Sequence, residues 1–563
     1  MDFKISKTTG ISIVFLLFAS LLFGQKTIQI QQNCVAEWSY FSNIKHNNPF
    51  RDVILDLKVK SPSGLEMTIP AFWVGKNEWR FRFSANEPGT YRFVTLCNDK
   101  KDKSLNQQKG TIIVSEYSGD NQLYKHGGLK ISSDKRHFEQ ADGKPFFWLA
   151  DEWWHGMVTR FKWPEDLKTL TADRKEKGFS VIGFAIGFPC DIKPFDTRGQ
   201  NENGDPWIDS TFMSINPAYF DLTDKRIQYL VEEGLVPNIV GSWGYYLKWS
   251  GIENMKLYYR YLIARYAAYP ITWTLAGEVT LPYYDDTSNG EGNKFKAQQR
   301  KDWSEVGRYL QANEPYNRLV TVHPGPGIWD GKPPLDDMSV LDFIFLQSGH
   351  SGFHTLPRAI EQVKENLKLY SDKPVLHGEV CFEGMQGSSW EDIQRFLFWS
   401  NILSGTAGYS YGSEGIWQFN TKSQLFGASP AGNVWGNVTW DVCMNYSGSK
   451  QVGIGKKILE KVDWWKLESH PEWIESKDTS NIFSYYCAGI EDKLHLIYLY
   501  QKPSKFNPYI VTHLKSNTIY NYQFIDPITG EFYPEKTLTT DSNGKWKVPL
   551  TPIMQDFVLK ISN

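Results

Sequence analysis

Eight short apolar runs recur between about residue 145 and residue 412: PFFWLADEWW, SVIGFAIG, LVPNIVGSWG, ITWTLAGEV, RLVTVHPG, DFIFLQSGH, KPVLHGEVCF and TAGYSYG. Segments of helical length stand between them, plainest at PEDLKTLTADRKEKG, AYFDLTDKRIQYLVEEG, MKLYYRYLIARYAAY, LPRAIEQVKENLKLY and WEDIQRFLFWSNILSG. Runs that stay apolar on both faces belong to parallel strands covered by helices. Eight such strand–helix units predict an α/β fold, a closed (β/α)8 TIM barrel. A doubly wound sheet is the alternative, but no glycine-rich phosphate turn follows the first run.

The flanks read differently. Residues 26–117 alternate polar and apolar with turn signals such as SPSG between, so that Val53, Leu55, Leu57 and Val59 face one way. This predicts an N-terminal β-sandwich. From 465 to 563 the same period returns, with turns at PITGE and SNGK, and predicts a C-terminal β-sandwich around a barrel spanning 125–464. At the start, Lys4 and Lys7 precede ISIVFLLFASLLFG and the small and polar pair Gly24 and Gln25. That is the layout of a secretory signal peptide over 1–24, and the apolar run is short for a membrane span. The expectation is a periplasmic or secreted protein with no stable membrane insertion.

Composition narrows the partners. The 61 basic and 63 acidic residues nearly cancel, which gives no electrostatic reason to expect nucleic acid,. Twenty-two Trp in a chain that is 15% aromatic offer flat platforms for sugar rings, although most serve a large core,. The six Cys are scattered without a CxxC pair, so neither a zinc ribbon nor a dithiol motif is present,. Cys34 with Cys97 is the expected disulfide if one forms, and free buried thiols are the equal alternative. EWWH sets Glu152 and His155 three apart without a third ligand nearby, so neither metal nor cofactor is expected,.

In a TIM barrel the reacting groups sit where strands end and βα-loops begin. Those positions hold Asp151, Trp153 and Trp154 after the first run, Trp243 after the third, and Glu278 after the fourth. His323 follows the fifth, Gln347 and His350 the sixth, Glu379 the seventh, and Tyr411 and Trp417 the eighth. Two carboxylates facing one cleft are what acetal hydrolysis requires: one protonates the departing oxygen, and the other captures the oxocarbenium-like carbon. The residues therefore suggest Glu278 and Glu379 as a catalytic pair, with the other nine as sugar-binding positions. A glycan-binding protein that keeps the barrel without the activity is the competing class. Glu383, four residues beyond Glu379, shares its strand parity and is a rival nucleophile. GYSYG formally matches the esterase elbow with Ser410 as nucleophile, but the residues after it lack a helical period and read as a loop,.

The layout resembles the clan A glycoside hydrolases, and more closely the bacterial apiosidase-like family. The motifs that carry the likeness are PFFWLADEWW, WTLAGE, QSGH, KPVLHGEVCFEG and GTAGYSYGSEGIWQF. The first module, with AFWVGKNEWRFRFSANEPGTYRF, looks like the sandwich that precedes such barrels, and FIDPITGE resembles a sandwich named as collagen-binding. The resemblance implies an acid/base at Glu278, a nucleophile at Glu379 and a carbohydrate substrate. It also implies a retaining enzyme, and the long loop after the second run suggests exo action on plant or algal cell-wall glycans. Two positions depart from the pattern: Gly277 stands where clan A enzymes usually carry Asn, and Glu278 where apiosidase-like enzymes often carry Asp.

Overall fold

The computed structural model describes residues 26–284, 292–325, 333–475, 481–500 and 509–563. The expected signal peptide lies outside them. Eight parallel strands form one sheet in the order β5-β4-β3-β2-β1-β8-β7-β6: β1 (Trp148–Glu152), β2 (Val181–Ala185), β3 (Val236–Val240), β4 (Thr272–Thr274), β5 (Val320–Thr321), β6 (Ile344–Gln347), β7 (Val375–Glu379) and β8 (Gly408–Tyr411). The helices α1 (Glu165–Lys177), α2 (Pro217–Glu232), α3 (Ile252–Tyr266), α4 (Gly292–Asn313), α5 (Leu356–Leu369), α6 (Glu391–Ser404) and α7 (Ser447–Leu459) cover it. The sequence explains the limits of α1. Glu165 and Asp166 open it, Arg174, Lys175 and Lys177 close it, each complementing the helix dipole, and Gly178 ends it at φ +91°,.

The barrel closes through a seam. Between β5 and β6 no strand ladder forms. Instead the Asp342 N–H donates to the Val320 carbonyl at 2.8 Å, and the Asp342 carboxylate accepts from the Val320 N–H at 2.7 Å. Thr321 Oγ1 adds a bond to the Phe343 carbonyl at 2.8 Å. Phe138, on a small sheet before β1, plugs the floor, its ring centroid 5.1 Å from those of Trp148 and Phe343.

Both flanking modules are β-sheet layers. The first pairs a five-stranded with a three-stranded sheet, and Val53, Leu55, Leu57 and Val59 all turn into its core. Arg82 ties it to the barrel, bonding the Arg265 carbonyl at 2.6 Å and sharing Asp224 with the Arg265 guanidinium. The second packs its six-stranded sheet against α6, where Arg395 pairs with Asp556 at 2.6 Å. All six Cys are free thiols, which corrects the expected Cys34–Cys97 bridge. Register explains it: Cys97 closes a strand whose other end, Gly89, lies beside Val114 and so near Gln31 and Cys34. The strand's length sets the two thiols roughly 25 Å apart, too far to bond. Among the described residues no helix is long and apolar enough to cross a membrane.

Candidate active site

The strand ends bring Glu278, Gln347, His350, Glu379, Trp154, Trp243 and Trp417 to one cavity of about 240 Å³. A break in register aims Glu379 into it. Along β7, Leu346 of β6 pairs with His377, but the next residue, Gln347, pairs with Glu379. Gly378 is thus an extra residue, as in a β-bulge, and it puts Glu379 in phase with Gln347. Only glycine fits there, because a Cβ would stand 2.2 Å from the Phe345 ring.

Glu379 is buried among donors. The His350 Nδ1 accepts from the Phe382 N–H at 3.1 Å, so its Nε2 carries the proton given to Glu379 Oε1 at 3.0 Å. His323 Nδ1 faces the Pro324 carbonyl at 2.8 Å and its Nε2 faces Glu379 Oε2 at 2.8 Å. With an acceptor at each nitrogen, His323 is an imidazolium, and Glu379 raises its pKa against the opposing pull of burial,. In return, burial alone would push Glu379 up, but His323 and His350 hold it well below the usual carboxylate range.

Glu278 is kept in the opposite state. Burial first, and then the Glu379 charge, push it up to about 7. It accepts from the Trp243 indole at 3.0 Å and from Gln347 Nε2 at 3.2 Å. The same amide nitrogen donates to Glu379 Oε1 at 2.5 Å. Laid end to end, these two bonds limit the facing Oε1 atoms to about 5.7 Å,. The Trp243 ring occupies the place of a side chain at Gly277, where a Cβ would meet it at 2.2 Å. Asn cannot stand there, so the Trp243 N–H is the neighbour that Glu278 receives instead. Glu278 itself sits at φ +42°, a conformation costing about 1–3 kcal/mol in a non-glycine residue,.

Four predicted sugar-binding residues do not line the cavity: His323, fully buried, reaches it only through Glu379, and three others lie further away. Asp151 is fully buried, paired with Arg174 at 2.6 Å and accepting from the Trp153 indole at 2.7 Å. Trp153 packs on Phe161 and Phe419. Tyr411 points outward and donates to Glu383 at 2.6 Å. Alternation is the reason: Trp148, Ala150 and Glu152 of β1 face inward and Asp151 faces the helices,. Of the rivals, Glu383 accepts from Tyr411 and from the Gly448 N–H at 2.9 Å, outside the cavity lining. Ser410 lies within β8 rather than on a turn, and is buried. After β8 the chain does form one short helix, Glu414–Gln418, where a loop was expected. Among the described residues no group of His, Cys, Asp and Glu could hold a metal, and His155 bonds the Cys190 carbonyl at 3.1 Å.

Two further acids matter here: Glu152, which the sequence offered only as half of a metal pair with His155, and Asp191, which sequence reasoning missed. Glu152 is buried with neither oxygen bonded, and burial, then Glu379 and Asp151, keep it neutral. Asp191, just past β2 in FPCD, lines the cavity together with Tyr284, Asn433 and Trp435. No strand-end rule points to a residue six positions beyond its strand.

A parallel barrel whose β4 and β7 ends present a protonated and an ionised glutamate to one cavity is the arrangement of a glycoside hydrolase. Residues 132–466 match the sequence model of the apiosidase-like catalytic domain, and the chain belongs to that family. Residues 30–98 match a domain of unknown function, DUF5060. A candidate glycoside hydrolase from Bacteroides vulgatus shares the fold, at 19% identity and a TM-score of 0.67 over 95% of this chain and 99% of its own. A family 5 glycoside hydrolase from the same organism does so at 18% identity and a TM-score of 0.62, over 78% of this chain and 94% of its own. No curated protein matches the chain at a significant level.

Proposed function

We propose that the chain is an exported, retaining, exo-acting glycoside hydrolase of plant or algal cell-wall polysaccharide or its oligosaccharides. Glu379 attacks the anomeric carbon while Glu278 gives its proton to the departing oxygen. The resulting glycosyl ester on Glu379 is then hydrolysed by a water whose proton returns to Glu278, and Glu379 departs as the carboxylate. His323 and His350 keep Glu379 ionised before the first step and accommodate its charge after the second. The observation that carries this reading is the Gln347 amide shared by both carboxylates. It brings the facing oxygens within about 5.7 Å, which supports the separation of about 5–5.5 Å used in retention over the about 6.5–9.5 Å of inversion,.

Exo action is supported by the walls. Arg198, from the loop after β2, donates to the Ala428 carbonyl at 2.7 Å in the loop after β8, and Tyr284, after β4, donates to Asp191. The leader-like start supports export, and the family supports a cell-wall glycan. The test is a pair of variants. Glu379→Ala abolishes turnover of every substrate, whereas Glu278→Ala still forms the glycosyl ester from activated aryl glycosides and is accelerated by azide. Turnover by Glu379→Ala, or an inverted product anomer by NMR, would sink the mechanism. An early ladder of mid-length products would sink exo action alone.

A further inference from the structure

The cavity holds a third carboxylate that the two-glutamate mechanism leaves unused. Asp191 is half-buried on the cavity wall, and among the described residues it forms no ion pair. A carboxylate held out of water needs compensation. Tyr284, from the loop after β4, supplies one hydroxyl donor, which also fixes the direction of the side chain. Asp191 sits at φ +57°, so backbone strain is accepted to hold this acid at the cavity, as it is at Glu278,.

Its neighbours complete a pattern. The indole nitrogens of Trp417 and Trp435 are buried without a hydrogen-bond acceptor, and both residues line the cavity. Trp417 as a whole is only 4% exposed, so its N–H is reached only from the cavity. The Trp435 N–H lies near Asp191 without reaching hydrogen-bond geometry. A wall with one carboxylate acceptor, an unpaired N–H at Trp417 and a second N–H at Trp435 turned toward that carboxylate suits a ligand whose groups both donate and accept, as sugar hydroxyls do,. No Lys or Arg is among the described lining residues, so a sugar carboxylate would meet like charge.

We infer that Asp191 recognises the glycosyl unit itself, accepting a hydroxyl of the sugar that Glu379 captures, with Trp417 and Trp435 donating to its other oxygens. This rests on the proposed roles of Glu278 and Glu379.

The experiment compares wild type, Asp191→Ala, Asp191→Asn, Tyr284→Phe and Glu379→Ala. The probes are 4-nitrophenyl glycosides of neutral pentoses and hexoses, their 2-amino and uronic counterparts, and oligosaccharides of the same sugars. Asp191→Ala should lower kcat/KM about 10–100-fold, the worth of a charge-assisted hydrogen bond. The loss should be equal for aryl and oligosaccharide substrates, because an aryl leaving group has no sugar hydroxyl. Asp191→Asn should lose less, and Tyr284→Phe, which frees the carboxylate to turn, less again. If Asp191→Ala is poorly folded by circular dichroism, the other two variants carry the comparison.

A loss confined to oligosaccharides would place Asp191 on the leaving-group side and overturn the inference. So would a wild-type preference for amino sugars that Asp191→Asn abolishes, a wild-type preference for the uronic probe, or variants within twofold of wild type throughout. Inactive Glu379→Ala beside unaffected Asp191 variants refutes only this inference. Active Glu379→Ala refutes the mechanism beneath it. Wild type inert on every probe overturns the inference as well, since the probes span the neutral sugars it names.

Discussion

The β4 and β7 corners of the barrel mouth each enclose a glutamate and treat it oppositely. At β7 an imidazolium, a second imidazole N–H and an amide surround Glu379 and hold it ionised. At β4 Glu278 has an indole N–H and a share of the same amide, with no cation in contact, and is pushed up to about 7. Enclosure alone would protonate both. The difference shows that the charge of the donors, rather than depth, sets which glutamate is ionised and which is protonated. Activity should therefore span the acidic range, rising as Glu379 ionises and falling near pH 7 as Glu278 loses its proton, in a profile that belongs to the pair,.

His323→Ala should break this contrast most severely. It strips the cation from a buried carboxylate, and breaking such a pair costs about 3–5 kcal/mol, or roughly 150–4,000-fold in kcat/KM. Because His323 lowers both glutamates, the whole pH window should move upward. Unmoved limbs would show that His323 is not the cation. Asp151→Ala tests the other half of the contrast, between acids that serve the fold and acids that serve the site. It leaves Arg174 with Asp173 as its remaining carboxylate partner and should cost about 1.5–3 kcal/mol of stability in urea melts, with the pH profile of the folded fraction unchanged,. A displaced profile would return Asp151 to the site.

Gln347→Ala is a milder probe, expected at about tenfold in kcat/KM, the scale of one hydrogen bond to a charge. With their shared donor gone, the two limbs of the pH profile should draw apart or together, and an identical profile would remove the amide from the comparison. Glu383→Gln should change least. Burial first raises Glu383 to about 7, so it is largely neutral where the enzyme works, and activity should stay within about twofold,. A dead Glu383→Gln enzyme would overturn the assignment of β7.

The eight-strand pattern was legible in the sequence because strands buried on both faces can only be written with apolar residues, and both glutamates were legible as strand-end exceptions to it. Orientation at those ends was harder. At β1 and β8 a simple period of two was enough to turn Asp151 and Tyr411 away from the mouth, yet no sequence rule fixes which parity faces in. At β7 the period itself fails, since Gly378 is an extra residue in the register and the Phe345 ring fills the place of its side chain. Asp191 was invisible because its position depends on a left-handed turn and on Tyr284 from another loop.

The seam between β5 and β6 carries a consequence for how the enzyme fails. His323 follows one lip of it and Gln347 ends the other, and three bonds, two of them made by the Asp342 and Thr321 side chains, hold the lips together there. A barrel stitched in this way parts first along its stitching, as regions with few backbone bonds open below the global unfolding free energy. Opening would draw the cation and the shared amide away from opposite sides of Glu379 while the other ladders stay intact. On heating, catalysis should then be lost ahead of secondary structure, and among the amides of the barrel strands and their seam those of Val320 and Asp342 should exchange first,.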